Sequence, residues 1–196
     1  GVILNCSREE NSDKFWATIG GMGLTGIILS AKIKLKNIES AYIRQESIKA
    51  ENLNEIFRLF EESEDWTYTV AWIDCLQKGK NIGRSILMRG EHALKVELPF
   101  KLADKPLRLK KKFSPTVPFY FPKFVLNKFT VKAFNFLYFN KQRPKVVKNI
   151  IDYETFFYPL DAINDWNRIY GKSGFIQYQM VNQKEKGEEG MRIILE

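Results

Sequence analysis

A cluster of glycines is the first part of this 196-residue chain whose composition suggests chemistry. Four glycines occur within seven residues, at Gly20, Gly21, Gly23 and Gly26. Glycine adopts positive φ angles without steric cost and lets the backbone approach a ligand closely. The cluster therefore suits a loop wrapped against a cofactor, but it also suits a tight packed turn before a strand. Residues 27–35 begin as a continuous apolar run and end in alternation, which predicts that strand.

Side chains that could do chemistry unaided are few. The single histidine, His92, has no nucleophile near it in sequence, and we interpret it as an exposed residue at a strand end. Cys6 and Cys75 have neither metal-ligand spacing nor the pattern of a disulfide framework, which favours a reducing compartment. The sequence contains no phosphate-binding loop and no metal-ligand cluster, so we predict no metal site. Redox chemistry would have to come from a bound cofactor.

The net charge of +8 is unevenly distributed along the chain. Residues 101–149 hold thirteen Lys and Arg but a single acid, Asp104, and they also hold ten aromatic side chains. Such a segment predicts an anionic partner: nucleic acid, an anionic membrane surface or a phosphorylated substrate. No nucleic-acid-binding motif is recognisable, and the aromatic residues cluster with apolar ones. This pattern favours lipid, and we predict no nucleic-acid partner.

Hydrophobic periodicity predicts an α+β fold, in which an antiparallel sheet is flanked by helices. Strands are predicted at residues 2–5, 41–46, 66–76 and 82–89, and helices from Ser12 and over 50–62. In the strand over 66–76, Tyr68, Val70 and Trp72 share one side. A domain boundary is expected at residues 37–40. The sequence contains no cleavable signal pattern and no apolar run of membrane-spanning length.

The second half of the chain alternates between loops and short elements. Residues 99–122 contain five prolines and predict a long loop. Residues 128–139 predict a helix with a narrow polar stripe, Lys128, Lys132 and Asn135, and a wide apolar arc. Core packing is the commoner explanation of such an arc, and a membrane interface with flanking lysines at the headgroups is the alternative. We further expect an extended segment at 152–158, a short helix at 160–170, a strand at 174–181 and a helix from 185.

Two amides share one side of the predicted strand over residues 174–181. Gln177 and Gln179 can each donate and accept hydrogen bonds, so they suit a pocket for a hydroxyl-rich sugar or a flavin carbonyl. A solvated face of an antiparallel sheet shows the same pattern and is commoner. Periodicity leaves both explanations open.

Residues 15–28, FWATIGGMGLTGII, resemble the corresponding segment of FAD-linked oxidases of the vanillyl-alcohol-oxidase type. The similarity is greatest to the decaprenylphosphoryl-ribose 2'-oxidase subfamily. Further segments follow in the order and spacing of that family: 71–74, 83–84 with 89–90, 159–161 with 165–168, and 174–179. The resemblance covers nearly the whole chain, but it corresponds to only the middle of such an enzyme.

This resemblance implies a cofactor, a pocket and a domain organisation. It implies FAD, contacted by Gly20, Gly21, Gly23 and Ile28. It implies a substrate pocket beside the flavin, lined by Trp72, Phe157, Gln177 and Gln179. Residues 1–38 would be the C-terminal end of a FAD-binding domain, with its last strands, and residues 39–196 an incomplete substrate-binding domain.

The resemblance also implies an activity for a longer protein. That activity is oxidation of a secondary hydroxyl of a sugar, lipid-linked, in cell wall biosynthesis. The expected location is the cytoplasm, peripherally at the inner membrane, with an anionic membrane surface and a reductase or epimerase as partners. The family's flavin-phosphate loop would precede Gly1, and its active-site lysine and cysteine would follow Glu196. We therefore expect no catalytic residue in this chain and no turnover by it alone.

Three positions depart from the family pattern. Phe157 stands where the family has a tyrosine, Tyr158 stands in the place of a histidine, and Val70 replaces a serine. These changes remove or move a hydroxyl in the expected pocket, so the sugar is left open. An alternative function, independent of the resemblance, is a non-enzymatic basic and aromatic module that binds anionic membrane or nucleic acid.

Overall fold

In the computed structural model, a four-stranded antiparallel sheet forms the centre of the larger of two units, Ile38–Glu196. The structure describes residues 1–110 and 112–196; Lys111, part of the predicted basic segment, lies outside the described residues. The smaller unit is Gly1–Asn37. The assignment of residues 1–38 and 39–196 to FAD-binding and substrate-binding domains stays a prediction.

The strands of the sheet are β1 (Tyr42–Ala50), β2 (Tyr68–Ile73), β3 (Ser85–His92) and β4 (Val146–Asp152). Their spatial order is β2-β3-β1-β4, and every neighbouring pair is antiparallel. In this register Met88 lies opposite both Val70 and Ser47. Because side chains alternate between the two faces of a strand, this register decides which residues meet on each face.

One face of the sheet carries the main hydrophobic core. It packs against α2 (Leu53–Glu61) and α6 (Gly187–Leu195). Asn52 caps α2, because its side chain accepts a hydrogen bond from the Glu55 backbone N–H. The apolar residues of α2 recur every three to four positions. The buried members of this core are Ile48, Ala50, Leu53, Ile56, Leu59, Ile82, Leu87 and Leu195. The α+β class and the antiparallel sheet flanked by helices are confirmed.

Two further helices lie after the first three strands. Helix α3 (Phe100–Ala103) is a single turn, and α4 (Lys128–Lys141) is the longest helix that the structure describes. The Asn127 side chain caps α4 by accepting hydrogen bonds from the backbone N–H groups of Phe129 and Thr130. Helix α4 confirms the predicted helix over 128–139. None of the helices in the described residues is long and apolar enough to span a bilayer.

The smaller unit contains one helix and no strand among its described residues. Helix α1 (Ser12–Thr18) confirms the predicted helix start. The strands predicted at 2–5 and 27–35, which were expected as the last strands of a FAD-binding domain, are wrong for this structure. An apolar alternating run becomes a strand only when a neighbouring backbone completes its hydrogen-bond ladder, and within the described chain these residues have no such neighbour.

Three predictions in the last third of the chain are also wrong. The segment predicted as extended forms α5 (Tyr153–Phe157), because the Asp152 side chain caps it by accepting from the Thr155 N–H. The helix expected over 160–170 is replaced by two 3-10 helices, Pro159–Ala162 and Trp166–Tyr170. Residues 174–181 form no strand, for lack of a ladder partner in the described chain. The helix predicted from residue 185 is confirmed by α6.

Candidate functional site

On the second face of the sheet, opposite α2 and α6, α4 lies at one end of the edge strand β2 and α5 lies at the other. Tyr68, Val70 and Trp72 alternate onto this face from β2, as predicted. Helix α4 covers the end at Trp72, and α5 covers the end at Tyr68. This face is the candidate functional site, because it places aromatic and amide side chains around an accessible surface.

At the α4 end, aromatic rings pack directly onto the sheet. The ring of Trp72 lies 4.7 Å from that of Tyr138, which stacks on Phe134 at 5.8 Å. Phe139 is buried, and the Lys49 ammonium lies 4.1 Å above its ring. A cation over an aromatic face is attracted by the ring quadrupole, so Phe139 joins α4 to β1.

Below α4 lies a buried polar cluster centred on Asp74. This carboxylate is fully buried and accepts hydrogen bonds from Arg84 at 2.6 Å, Asn135 at 2.7 Å and Gln77 at 2.9 Å. Burial alone would raise the pKa of Asp74, but the hydrogen bonds from Arg84, Gln77 and Asn135 outweigh it and hold that pKa below its usual value. Asn135 was predicted to lie on a solvated polar stripe; it is instead buried and ties α4 to the sheet.

At the other end, α5 places two phenylalanines against the sheet. The ring of Phe157 meets Tyr68 edge-on at 4.9 Å, and Phe156 lies 6.2 Å from the same tyrosine. His92 also meets Tyr68 edge-on at 5.7 Å, and its Nδ1 lies 3.2 Å from the Ser40 carbonyl oxygen. His92 is therefore at a strand end, as predicted, but it is half-buried rather than exposed.

Between α4 and α5 a row of residues runs across β2, β3 and β1; we call it the open strip, because Val70 at the sheet edge leaves one end of it accessible. It is formed by the exposed Val70, the half-buried Met88 and the buried Ser47 and Gln45. Val70 is 45% exposed and lies directly opposite the half-buried Met88, which in turn lies opposite Ser47. Gln45 is buried and donates a hydrogen bond to the Ser47 hydroxyl over 2.5 Å. The strip thus combines an apolar pair, Val70 and Met88, with one buried amide–hydroxyl pair, and aromatic side chains lie at both ends of β2.

Two of the four predicted pocket residues lie on the same face of the sheet. Trp72 and Phe157 lie at opposite ends of β2 on the same face of the sheet, on either side of the open strip. Gln177 and Gln179 are exposed in an irregular segment and are not part of the sheet. Their role in a pocket stays a prediction.

The glycine stretch of the smaller unit forms an irregular loop after α1. Gly20 and Gly23 have φ angles of 74° and 76°, and a Cβ at either position would meet no other atom within 4 Å. Their backbone is therefore open to a ligand on the side where other residues carry a side chain. Gly21 differs, because its Cβ would lie 2.2 Å from the Ala17 carbonyl oxygen. Close packing on α1 is thus sufficient reason for glycine at that position.

Apolar side chains beside this loop are strongly exposed. Ile28, which was predicted to contact the cofactor, is 66% exposed. The exposed apolar residues of this stretch are Met22, Leu24, Ile27, Ile28 and Leu29. An exposed apolar run of this kind beside an open glycine backbone could contact an apolar ring system. That Gly20, Gly21, Gly23 and Ile28 contact FAD stays a prediction.

Sequence reasoning did not find the Asp74 cluster or the Gln45–Ser47 pair. Asp74 fell inside the predicted strand over 66–76, and only the tertiary fold brings Arg84 and Asn135 to it. Gln45 could have been noticed because it lies on the same side of β1 as Ile43, which is fully buried. Among the described residues, no group of three or more His, Cys, Asp or Glu side chains could hold a metal ion.

Several known proteins are similar in sequence to this chain. No protein-family model matches the chain. It is 38% identical, over 191 residues or 95% of its length, to decaprenylphosphoryl-beta-D-ribose oxidase of Mycolicibacterium smegmatis. The predicted resemblance is confirmed. The chain is also 33% identical over 100 residues, half of its length, to a Streptomyces coelicolor protein named as uncharacterized.

A shorter match extends the similarity to a dehydrogenase. Cytokinin dehydrogenase 3 of Arabidopsis thaliana is 53% identical over 36 residues, which are 18% of this chain and 7% of that protein. The chain spans 41% of the length of the mycobacterial oxidase and 27% of the Streptomyces protein. The two relatives with a descriptive name, an oxidase and a dehydrogenase, are both oxidoreductases by name. The chain corresponds to a part of each relative.

Proposed function

We propose that this chain is a central part of a FAD-dependent oxidoreductase that oxidises a secondary hydroxyl of a lipid-linked sugar. The observation that carries the proposal is the 38% identity to the mycobacterial oxidase across 95% of the chain. In the proposal, residues 1–38 are the end of the FAD-binding domain, and residues 39–196 belong to the substrate-binding domain.

The glycine loop is the proposed FAD contact within this chain. Gly20 and Gly23 supply backbone that no side chain shields, and Ile28 supplies apolar surface at the same loop. Gly21 contributes by letting the loop pack against the end of α1. When bound, a flavin would supply the two-electron acceptor that oxidation of an alcohol to a ketone requires. The residues of this chain would bind, orient and shield the reactants.

The open strip is the proposed covering of the reaction site. Its apolar floor, Val70 and Met88, would exclude water from the reacting carbon, and Trp72 and Phe157 would bound the pocket at either end. Excluding water strengthens the electrostatic contacts inside a site and prevents side reactions. Gln177 and Gln179 would donate and accept hydrogen bonds to sugar hydroxyls, which apolar walls cannot do.

The proposal is tested on the product of the complete reading frame that contains this chain. The purified protein should carry flavin, and anaerobic mixing with a polyprenylphosphoryl pentose should bleach the flavin absorbance. Gln179→Ala should slow that bleaching by roughly 5- to 150-fold, because an unpaired buried partner costs about 1–3 kcal/mol. Gln183→Ala, a nearby exposed amide outside the predicted pocket, is the matched control and should react at the parent rate.

The outcomes of this experiment separate the parts of the proposal. A flavin-free protein would contradict the reaction class. A flavoprotein bleached by other alcohols but not by the lipid-linked pentose would contradict only the substrate. Equal rates for Gln179→Ala and Gln183→Ala would indicate that Gln177 and Gln179 lie on a solvated surface and do not contact the substrate.

A further inference from the structure

Helix α4 faces outward with its apolar side. Its buried residues are Asn135 and Phe139, whereas Phe129, Phe136 and Leu137 are between 58% and 84% exposed. An amphipathic helix on a soluble domain normally buries its apolar side and exposes its amides. Here the contact with the sheet includes an amide bound to Asp74, so the apolar outer side is left for another partner.

Four exposed apolar residues lie on one side of the helix. At about 100° per residue, Phe136, Phe129, Ala133 and Leu137 cover an arc of roughly 100° on the side away from Asn135, and the exposed Asn140 of the last turn lies within the same arc. Lys132 and Lys141 lie about 40° beyond the two edges of that arc. The turn leading into α4 adds Phe124, which is 76% exposed and whose carbonyl oxygen accepts a hydrogen bond from Asn127. We call this surface, Phe124 with the outer side of α4, the α4 surface.

The cations around the α4 surface differ from those elsewhere in the basic segment. On the β4 side, Lys145 pairs with Glu55 and Lys148 with Glu46. The cations around the α4 surface form no ion pair with another described residue; they are Lys123, Lys128, Lys132, Lys141 and Arg143. Positive charge is therefore paired with carboxylates on the β4 side and left unpaired around the apolar arc.

We propose that the α4 surface binds the anionic face of a lipid bilayer, with α4 lying flat in the headgroup region. The helix has 14 residues, so it is about 21 Å long, which suits a position along the interface. Its aromatic and aliphatic side chains would enter the boundary of the acyl chains, and the lysines at both edges would reach the headgroup phosphates. This inference is independent of the proposed oxidoreductase function.

The charge pattern selects a bilayer over two other partners. A second copy of the same surface would bring uncompensated lysines against one another, with no acid on the surface to balance them. Nucleic acid would be attracted by the lysines, but its phosphate backbone offers no place for outward-facing Phe129 and Leu137. A bilayer with anionic lipids satisfies both the apolar and the cationic parts of the surface.

The test is co-sedimentation of the complete protein that contains this chain, the product of its full reading frame, with two kinds of vesicle. One kind contains phosphatidylcholine alone, and the other contains phosphatidylcholine and phosphatidylglycerol in equal amounts. The chain should bind the anionic vesicles and bind the neutral ones weakly. Raising salt from about 0.01 M to about 0.15 M shortens the Debye length from about 30 Å to about 8 Å, so binding should weaken. Far-UV circular dichroism confirms that each variant keeps the parent fold.

Two pairs of substitutions separate the charged and apolar contributions. Lys132→Glu with Lys141→Glu should weaken binding by at least roughly 30-fold, since each lysine near an anionic surface contributes about fivefold. Phe129→Ser with Leu137→Ser should weaken it on the order of tenfold per side chain at any salt concentration. The matched controls are Lys80→Glu and Val96→Ser, an exposed cation and an exposed apolar residue outside the α4 surface. Both controls should bind like the parent.

Several results would overturn the proposal. These are absence of binding to anionic vesicles at low salt, binding that survives both pairs of substitutions, and displacement of the chain from vesicles by duplex DNA. Light scattering detects a dimer. If the parent is a dimer, if Phe129→Ser with Leu137→Ser abolishes the dimer, and if the parent does not bind vesicles, a second copy is the true partner.

Discussion

Replacing Asn135 with alanine tests how α4 is attached to the sheet. In the parent chain, the Asn135 side-chain amide donates to Oδ1 of the fully buried Asp74 over 2.7 Å. Asn135→Ala removes this hydrogen bond and leaves the carboxylate with Arg84, Gln77 and the Leu76 backbone N–H as its donors. We expect α4 to loosen and the free energy of unfolding to fall.

The expected loss is about 2 kcal/mol. A hydrogen bond to a charged group contributes about 1.5–3 kcal/mol, and Asp74 retains three donors, so a value in the lower half of that range is expected. Asn140→Ala is the matched control, because Asn140 lies on the same helix but bonds only the exposed Phe136 carbonyl oxygen. This control should change the free energy of unfolding by less than about 0.5 kcal/mol.

Acid conditions give a second measurement with a defined sign. The pKa of Asp74 lies below its unfolded value of 3.8 in the parent. The ionised form is therefore favoured by folding, and its contribution is present above that value and lost as the pH falls below it. Asn135→Asp would instead set a second carboxylate against Asp74 and raise the pKa of the pair. That variant should be much less stable at neutral pH and should recover part of the loss as the pH falls toward 4.

Urea unfolding, followed by tryptophan fluorescence and far-UV circular dichroism, measures both effects. Equal midpoints for Asn135→Ala and Asn140→Ala would refute the role of the Asp74 cluster. So would an Asn135→Asp variant whose stability falls with pH in the same way as that of the parent.

The remaining predictions concern the sheet. Gly90→Ala should lower the free energy of unfolding by about 1–3 kcal/mol, because the new Cβ would lie 2.6 Å from Ile43 Cγ2 and 3.0 Å from the Phe156 ring; an unchanged urea midpoint would contradict the close packing of α5. Glu46→Gln should also destabilise the chain at neutral pH, by about 2 kcal/mol, because Glu46 pairs with Arg89 and Lys148 at 2.7 Å. Burial alone would raise the pKa of Glu46, but Lys148 and Arg89 outweigh burial and hold that pKa below its usual value. The difference in free energy of unfolding between Glu46→Gln and the parent should therefore shrink as the pH falls below 4.5. A difference that is constant with pH would contradict this ion pair.

Local sequence signals were sufficient for elements whose partners are near in sequence. Helix α2 has an Asn52 cap and apolar residues at helical spacing, and both signals lie within the element itself. Helix α4 was likewise predicted from residues 128–139. Its orientation was not, because Asn135 becomes buried only when Asp74, 61 residues earlier in the chain, receives its hydrogen bond. Periodicity treats an amide as solvated and cannot identify a distant partner.

Strands were harder to predict, because a ladder needs a neighbour that local sequence does not specify. Strand β4 was missed: Lys145 and Lys148 lie in the basic segment over 101–149, where no strand was predicted, although charged residues are common on the edge strands of sheets. The reverse error occurred at 27–35 and 174–181, where alternation predicted strands that have no partner in the described chain. The candidate site shows the same limit, since Trp72 and Phe157 meet the open strip while Gln177 and Gln179 remain untested.

Flavin content after Gly23→Val tests the proposed oxidoreductase most directly. Gly23 has φ of 76° and an open Cβ side, so valine would add both backbone strain and a side chain where the cofactor is proposed to approach. Gly79→Val is the matched control, because Gly79 has φ of 62° and is equally open but lies outside the glycine loop. We predict that the complete protein is yellow, that Gly79→Val keeps its flavin per mole of protein, and that Gly23→Val loses most of it. Full flavin content in a folded Gly23→Val protein, or equal losses in both variants, would contradict the account.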